Sequence, residues 1–266
     1  VLRVPEFVAE LANAPPEDIR DTLFLRVREE CRAAKNEADI MKILRQSKSR
    51  LALLTATADL TGTWALETIT ASLSDFASLA LNLSLEFLLR AEAALGSIEL
   101  DDLDDPCRSS GLVVIGMGKL GAGELNYSSD IDLIVLWDQE VVRYTGRRGP
   151  EEGFVRLTRN LVRIMQERTA DGYVFRTDLR LRPDAGATPV ALSMLAAEGY
   201  YESVGQNWER AAMIKASPVA GDIQAGKEFL KRISPFVWRK FLDFAAIDDI
   251  HSIKRQINRH KGHSTV

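Results

Sequence analysis

Apolar residues recur every four positions at Ile19, Leu23, Val27 and Cys31, forming one stripe along a helix face. Neither Gly nor Pro interrupts the chain from Glu17 to Thr61 or from Thr63 to Leu95, and both runs are rich in Ala, Leu, Glu and Arg. Such runs predict long helices. The pattern then changes. Leu112-Val-Val-Ile115 and Ile131-Asp-Leu-Ile-Val-Leu-Trp137 are short aliphatic runs, which predict buried strands. Apolar positions 154, 157, 161 and 164/165 predict a helix over 151–168. Tyr173 to Arg182 alternates with period two and predicts a strand. From Leu192 helical spacing returns, ending in apolar repeats at 241, 244, 247, 250, 253 and 257.

Glycine placement divides the chain in the same way. Residues 1–110 hold only Gly62 and Gly96, whereas 14 of the 17 glycines lie between Gly111 and Gly226. The expected fold class is α+β, with a small mixed-sheet core over 111–190. An N-terminal helical region, 1–110, precedes it, and a C-terminal helical region, 191–266, packs on it.

Composition narrows the partners. A 266-residue chain, 46% hydrophobic, is one large domain or two modest ones. The 34 Lys plus Arg against 38 Asp plus Glu leave a net charge of −4, which removes any global electrostatic case for nucleic acid. Two cysteines, Cys31 and Cys107, are too few for a disulfide framework and suggest a reducing cytoplasm. The most apolar stretch, Phe76 to Leu89, is broken by Ser78, Asn82, Ser84 and Glu86, so no membrane span is expected there. A start at Val1 without Met and an end inside a helical pattern suggest a piece of a longer protein.

Three short segments carry chemistry. Gly116-Met-Gly-Lys-Leu-Gly121 follows a strand and matches G-x-G-x-x-G. A P-loop is excluded because Leu120 follows Lys119. A dinucleotide site is the minor reading, because it needs a parallel sheet and a later, unpaired acid. In Ser129-Asp130-Ile-Asp132, two carboxylates share one strand face and repel unless a cation lies between them. Asp132 sits among Ile131, Leu133 and Ile134, where an acid without a partner is costly. Asp178, Arg180 and Arg182 share strand parity, which offers a third acid and two guanidinium groups for phosphate oxygens. Two divalent ions held by such acids stabilise the entering and leaving oxygens of an in-line displacement.

Gly118-Lys119 followed by Asp130-Ile-Asp132 resembles the signature of the DNA polymerase β-type nucleotidyltransferase superfamily. More narrowly, Gly116 through Ile134, Asp178-Leu-Arg-Leu-Arg-Pro183, Trp208-Glu-Arg210 through Ala216 and Phe236 through Phe244 resemble the bifunctional glutamine synthetase adenylyltransferase/adenylyl-removing enzymes. The likeness covers about 111–259; the helical region before it carries no quotable motif. It implies a nucleotidyltransferase core and a domain that removes AMP from a tyrosine of glutamine synthetase, with phosphate entering and ADP leaving. The segments Glu124 to Ser129, Asn207 to Lys215 and Phe236 to Phe244 point to that removing domain rather than to the one that transfers AMP from ATP. Carried over residue by residue, the resemblance makes Asp130, Asp132 and Asp178 the ligands of Mg2+ or Mn2+. It sets Gly118, Lys119 and Ser129 beside the phosphates. Charge and parity add Arg180 and Arg182 as phosphate holders. Glutamine synthetase and the nitrogen-signalling PII protein are the implied protein partners. The sequence departs from the family pattern at Ala122, Ala211 and Ala185-Gly-Ala-Thr188. A docking module without turnover is the alternative from another class.

Three further features stay outside this chemistry. Trp208 is expected in the core, with Glu209 and Arg210 as surface charges. Arg143, Arg147 and Arg148 read as a solvated basic loop. His251, His260 and His263 have no neighbouring Cys or acid cluster for zinc.

Overall fold

The computed structural model of the chain describes residues 5–238. The apolar repeat over 239–259, the three histidines and the far part of the 236–244 block lie outside the described residues.

Four helices come first: α1 (Pro5–Asn13), α2 (Pro16–Ala33), α3 (Glu37–Leu60) and α4 (Leu66–Ala94). The stripe Ile19, Leu23, Val27 and Cys31 is the buried face of α2. The run 17–61 holds two helices although it lacks Gly and Pro. Asn36 divides it: its side chain accepts from the Asp39 amide at 3.0 Å and caps α3. A cap of this kind is worth about 1 kcal/mol. The Phe76–Leu89 stretch belongs to α4. α4 is 29 residues long and holds an 18-residue window of mean hydropathy 1.2, so among the described residues it is, by length and composition only, able to cross a membrane. However, 78% of that window is buried inside the protein, as in a core helix.

After α4 come β1 (Ile98–Glu99), β2 (Leu112–Gly116), the single turn α5 (Gly118–Gly121), β3 (Ile131–Trp137), β4 (Arg143–Tyr144) and α6 (Gly149–Gln166). Then follow β5 (Thr177–Asp178), β6 (Ala191–Ser193), α7 (Met194–Ser203), α8 (Asn207–Met213), β7 (Ser217–Gly221), α9 (Ile223–Arg232) and α10 (Ser234–Val237). β1 and β4 pair with each other, and Arg143 in β4 forms an ion pair with Asp101 rather than sitting in a free loop.

The main sheet has the order β5-β3-β2-β7, with β6 also paired to β3. β2 runs antiparallel to β3 and β7, while β5 and β6 run parallel to β3, so the α+β fold has a mixed sheet. The antiparallel β2–β3 pair forms no βαβ crossover. The Gly116–Gly121 pattern therefore does not open a dinucleotide-binding unit.

Two predicted boundaries move. The expected strand 173–182 shrinks to β5, because the Asp178 carboxylate accepts from the Arg180 amide at 2.8 Å and turns the chain. The region expected to be helical after 190 supplies β6 and β7. β7 (Ser-Pro-Val-Ala-Gly) is too short and too rich in Pro and Gly to read as a strand. Pro218 lies opposite Ile115, where the pairing register shifts.

Strand alternation sorts the core into two clusters. Val114 of β2 and Ile131, Leu133 and Val135 of β3 join the cluster built on α2, α3, α4 and α6. Val113, Ile115, Ile134 and Leu136 join the cluster built on α7 to α10. Both faces of the central strands are covered, which is why β2 reads as a continuous aliphatic run. Each such buried aliphatic side chain contributes about 1.5–3 kcal/mol.

Candidate active site

In the parallel pair β3–β5, Ile131 stands opposite Thr177 and Asp132 opposite Asp178. Asp130 lies two residues before Asp132, with the same parity. Asp132 is half-buried at the strand end where the aliphatic face stops. Burial raises its carboxyl above the usual range, and the charges of Asp178 and Asp130 raise it further, with Arg180 opposing. The structure thus brings the three expected acids within electrostatic reach of one another.

Arg180 wraps Asp178. Its Nε donates to both carboxylate oxygens at 2.9 and 3.0 Å, and this pairing holds Asp178 below the ordinary carboxylate range. The Arg180 side chain is nevertheless 85% exposed. Arg182 is elsewhere. Its guanidinium donates to the carbonyls of Leu179 (2.9 Å), Ala185 (2.7 Å), Thr188 (3.0 Å) and Pro189 (3.0 Å). These bonds occupy the fork and tie down the 183–189 loop. The expected common face of Asp178, Arg180 and Arg182 does not form, because the chain turns after Asp178 and strand parity ends there.

The glycine turn sits against the acids. Gly118 has φ +55°, and a Cβ there would stand 3.3 Å from Asp132 Oδ2. At Gly121 a Cβ would stand 1.9 Å from the Lys215 carbonyl oxygen, so only glycine lets α5 approach the α8–β7 connection. The Met117 amide donates to the Asp132 carbonyl at 2.9 Å and locks the turn to β3. Lys119 Nζ donates to Ser129 Oγ at 3.3 Å, and Ser129 Oγ donates to Asn126 Oδ1 at 2.6 Å. Gly118, Lys119 and Ser129 therefore lie on the same rim as the acids.

Sequence reasoning missed two cations on this rim. Arg176 forms an ion pair with Asp130 and donates to the Ser128 carbonyl at 3.1 Å. It has the parity of Asp178 and Arg180, so the period-two pattern contained its signal. Lys48, on α3, lies 4.3 Å from the Phe175 ring centroid and 5.3 Å from that of Tyr173. Burial, together with the charge of Arg176, lowers the Lys48 ammonium to about 8. Sequence gave no sign of Lys48, since α3 is remote along the chain.

Around α8 the expectation inverts. Trp208 is 42% exposed, whereas Glu209 and Arg210 are 2% and 7% exposed. Glu209 accepts from the Gln206 amide (2.8 Å) and the Tyr200 hydroxyl (3.1 Å), so a capping box draws it inward.

As a donor set for a cation, the rim has the right chemistry: three carboxylates, one half-buried among like charges. Among the described residues no three such side chains stand ready as a ligand cluster. Asp130 is turned onto Arg176 and Asp178 onto Arg180.

Comparison with known proteins decides the family. The profile of the glutamate-ammonia ligase adenylyltransferase family matches residues 1–232. The chain belongs to this family. It is 56% identical over 234 residues to the bifunctional glutamine synthetase adenylyltransferase/adenylyl-removing enzyme of Rhizobium meliloti (strain 1021), a match covering 88% of this chain and 24% of that protein. The relative of the same name from Bradyrhizobium sp. (strain BTAi1 / ATCC BAA-1182) is 52% identical over 256 residues, 96% of this chain and 26% of that protein. That from Rhodopseudomonas palustris (strain BisB5) is 49% identical over 262 residues, 98% of this chain and 26% of that protein. The chain spans about a quarter of the length of these relatives. The family likeness extends through α1–α4, where sequence reading found no motif.

Proposed function

We propose that this chain carries the adenylyl-removing activity named in its relatives. It takes AMP from an adenylylated tyrosine of glutamine synthetase, with phosphate in and ADP out. A phosphate oxygen bonds to the AMP phosphorus, the phosphorus–tyrosine oxygen bond breaks, and the phenolate regains a proton. The observation that carries the reading is the in-register pair Asp132–Asp178 with Asp130 beside it, against a glycine turn whose backbone leaves room for phosphates. The choice of removal over transfer rests on the resemblance of residues 124–129 and 207–215.

The three carboxylates have the donor chemistry for Mg2+ or Mn2+, and Asp130, Asp132 and Asp178 would hold it once Asp130 and Asp178 turn from Arg176 and Arg180. A divalent cation there supplies Lewis-acid neutralisation of phosphoryl charge. Gly118 keeps the space beside Asp132 open. Lys119, steadied by Ser129, presents a cation to the phosphate side. Arg180 offers an exposed fork to phosphate oxygens. Regulation by the PII protein and a cytoplasmic setting belong to the same reading.

The test is ADP release from adenylylated glutamine synthetase with phosphate and Mg2+. Asp130→Asn and Asp132→Asn are expected to abolish it while the fold persists. Full activity in either variant would falsify the metal assignment. Labelling of unmodified glutamine synthetase by ATP, without phosphorolysis, would reverse the direction. Binding without either reaction would leave a docking module.

A further inference from the structure

We propose that Arg176 is a phosphate-binding residue held in reserve on Asp130: it pairs with the acid until a divalent cation takes that carboxylate, then turns its guanidinium to a phosphate oxygen. The inference rests on the metal-and-phosphate reading above and adds a residue to it.

Four observations support the exchange. The backbone of Arg176 is fixed, because its carbonyl accepts from the Ile131 amide at 2.9 Å as part of the β3–β5 junction. Its side chain, by contrast, is 55% exposed, so solvent and ligands reach the guanidinium. Each guanidinium nitrogen has one contact, Nε with Asp130, Nη2 with the Ser128 carbonyl at 3.1 Å and Nη1 with the Tyr173 hydroxyl at a long 3.5 Å, which leaves the second N–H of each terminal nitrogen for an oxyanion. Lys48, seated over Phe175 and Tyr173, adds a second positive charge near Arg176.

Charge bookkeeping then sets the direction. Without a cation, Asp130 is the natural counter-ion of Arg176. Once a divalent ion occupies the acids, the guanidinium faces like charge from that ion and from Lys48. An oxyanion is then its best partner, and a planar fork matches phosphate oxygens in pairs. No proton moves, since arginine stays charged throughout. A second acid of the site, Asp178, is likewise paired with an exposed arginine, Arg180, from its own segment.

The test uses the chain as it stands, with Arg176→Met and Arg176→Lys. Mn2+ binding is followed by electron paramagnetic resonance. Binding of inorganic phosphate to the Mn2+-loaded protein is followed by calorimetry. For Arg176→Met the expected phosphate Kd rises about tenfold, the loss of one charge-assisted pair. Its Mn2+ Kd is expected to fall or stay level, because a competitor for Asp130 is gone. Arg176→Lys should recover part of the phosphate affinity. In phosphorolysis, the KM for phosphate should rise more than kcat falls. Unchanged phosphate affinity in Arg176→Met, with normal Mn2+ binding, overturns this role and leaves the function intact. Failure of the unaltered chain to bind Mn2+ overturns both.

Discussion

The helical layer and the acid-bearing end of the sheet both take charge out of water, and they resolve it in opposite ways. In the helical layer, Arg45 on α3 is 1% exposed. It donates to the carbonyls of Met41 (2.9 Å), Gly172 (2.9 Å) and Glu167 (2.5 Å). Ser72, Ser84 and Thr55 likewise donate to carbonyls one turn back in their own helices. These polar groups are closed circuits, as buried groups must be. At the sheet end, Asp132 is half-buried beside two like charges, and the arginines paired with those charges, Arg176 on Asp130 and Arg180 on Asp178, stand in solvent. The first arrangement spends polarity on holding elements together. The second leaves charge uncompensated for a ligand to complete, which is how sites and structural networks separate physically.

The sharpest break of this comparison is a pair of variants with opposite profiles. Asp132→Asn is expected to lower phosphorolysis by at least about a hundredfold, the scale for losing a principal electrostatic group. Its thermal midpoint should hold or rise, because a half-buried charge facing Asp130 and Asp178 is gone. A large fall in midpoint, measured by calorimetry, would make Asp132 structural. Arg45→Met should do the reverse. It strands the Gly172 and Glu167 carbonyls and loosens the α3–α6 junction, lowering stability by about 3 kcal/mol in urea unfolding. Mn2+ binding by its folded fraction should stay unchanged. If that affinity falls as well, the two regions are not separable.

What the sequence revealed follows the same division. β2 and β3 were legible because both faces of each are covered, leaving continuous aliphatic runs. Asp130 and Asp132 stood out as charge at the end of such a run. The helices were legible from missing Gly and Pro, except the break at Asn36, which depends on a cap rather than a helix breaker. Asp178 was legible, but its register with Asp132 was not, since a two-residue strand leaves no period to read. Arg182 was misjudged because parity holds only while the strand continues. Lys48 and the inward turn of Glu209 were invisible, being set by contacts distant in sequence or by a side-chain cap.

Gly118→Ala probes the seam between scaffold and site. The φ of +55° costs an L-residue on the order of 1 kcal/mol. The added methyl would also press on Asp132 Oδ2 at 3.3 Å. Phosphorolysis should fall about tenfold, the cost of slightly misplacing one reacting group. A stability loss with unchanged turnover would detach the glycine turn from the chemistry.

Lys48 gives the smallest and most diagnostic effect, because it belongs to the helical layer yet lies on the rim of the site. Its ammonium drops from 10.5 to about 8 through burial and the charge of Arg176. Below about 8 both folded and unfolded chains hold the proton, and the full penalty of the buried charge is present. Between about 8 and 10.5 the folded chain releases that proton while the unfolded chain keeps it. The unfolded state then binds more protons, so this group makes stability rise with pH across that window. Lys48→Met keeps the apolar stem over Phe175 and Tyr173 and removes the charge. At pH 7 the variant should be more stable on the order of 1 kcal/mol, below the full shift because the cation–π contacts are lost. That advantage should shrink as the pH approaches 10 in parallel urea titrations. An advantage independent of pH would mean that Lys48 is hydrated, and that the helical layer does not dry the rim where Arg176 and Asp130 meet.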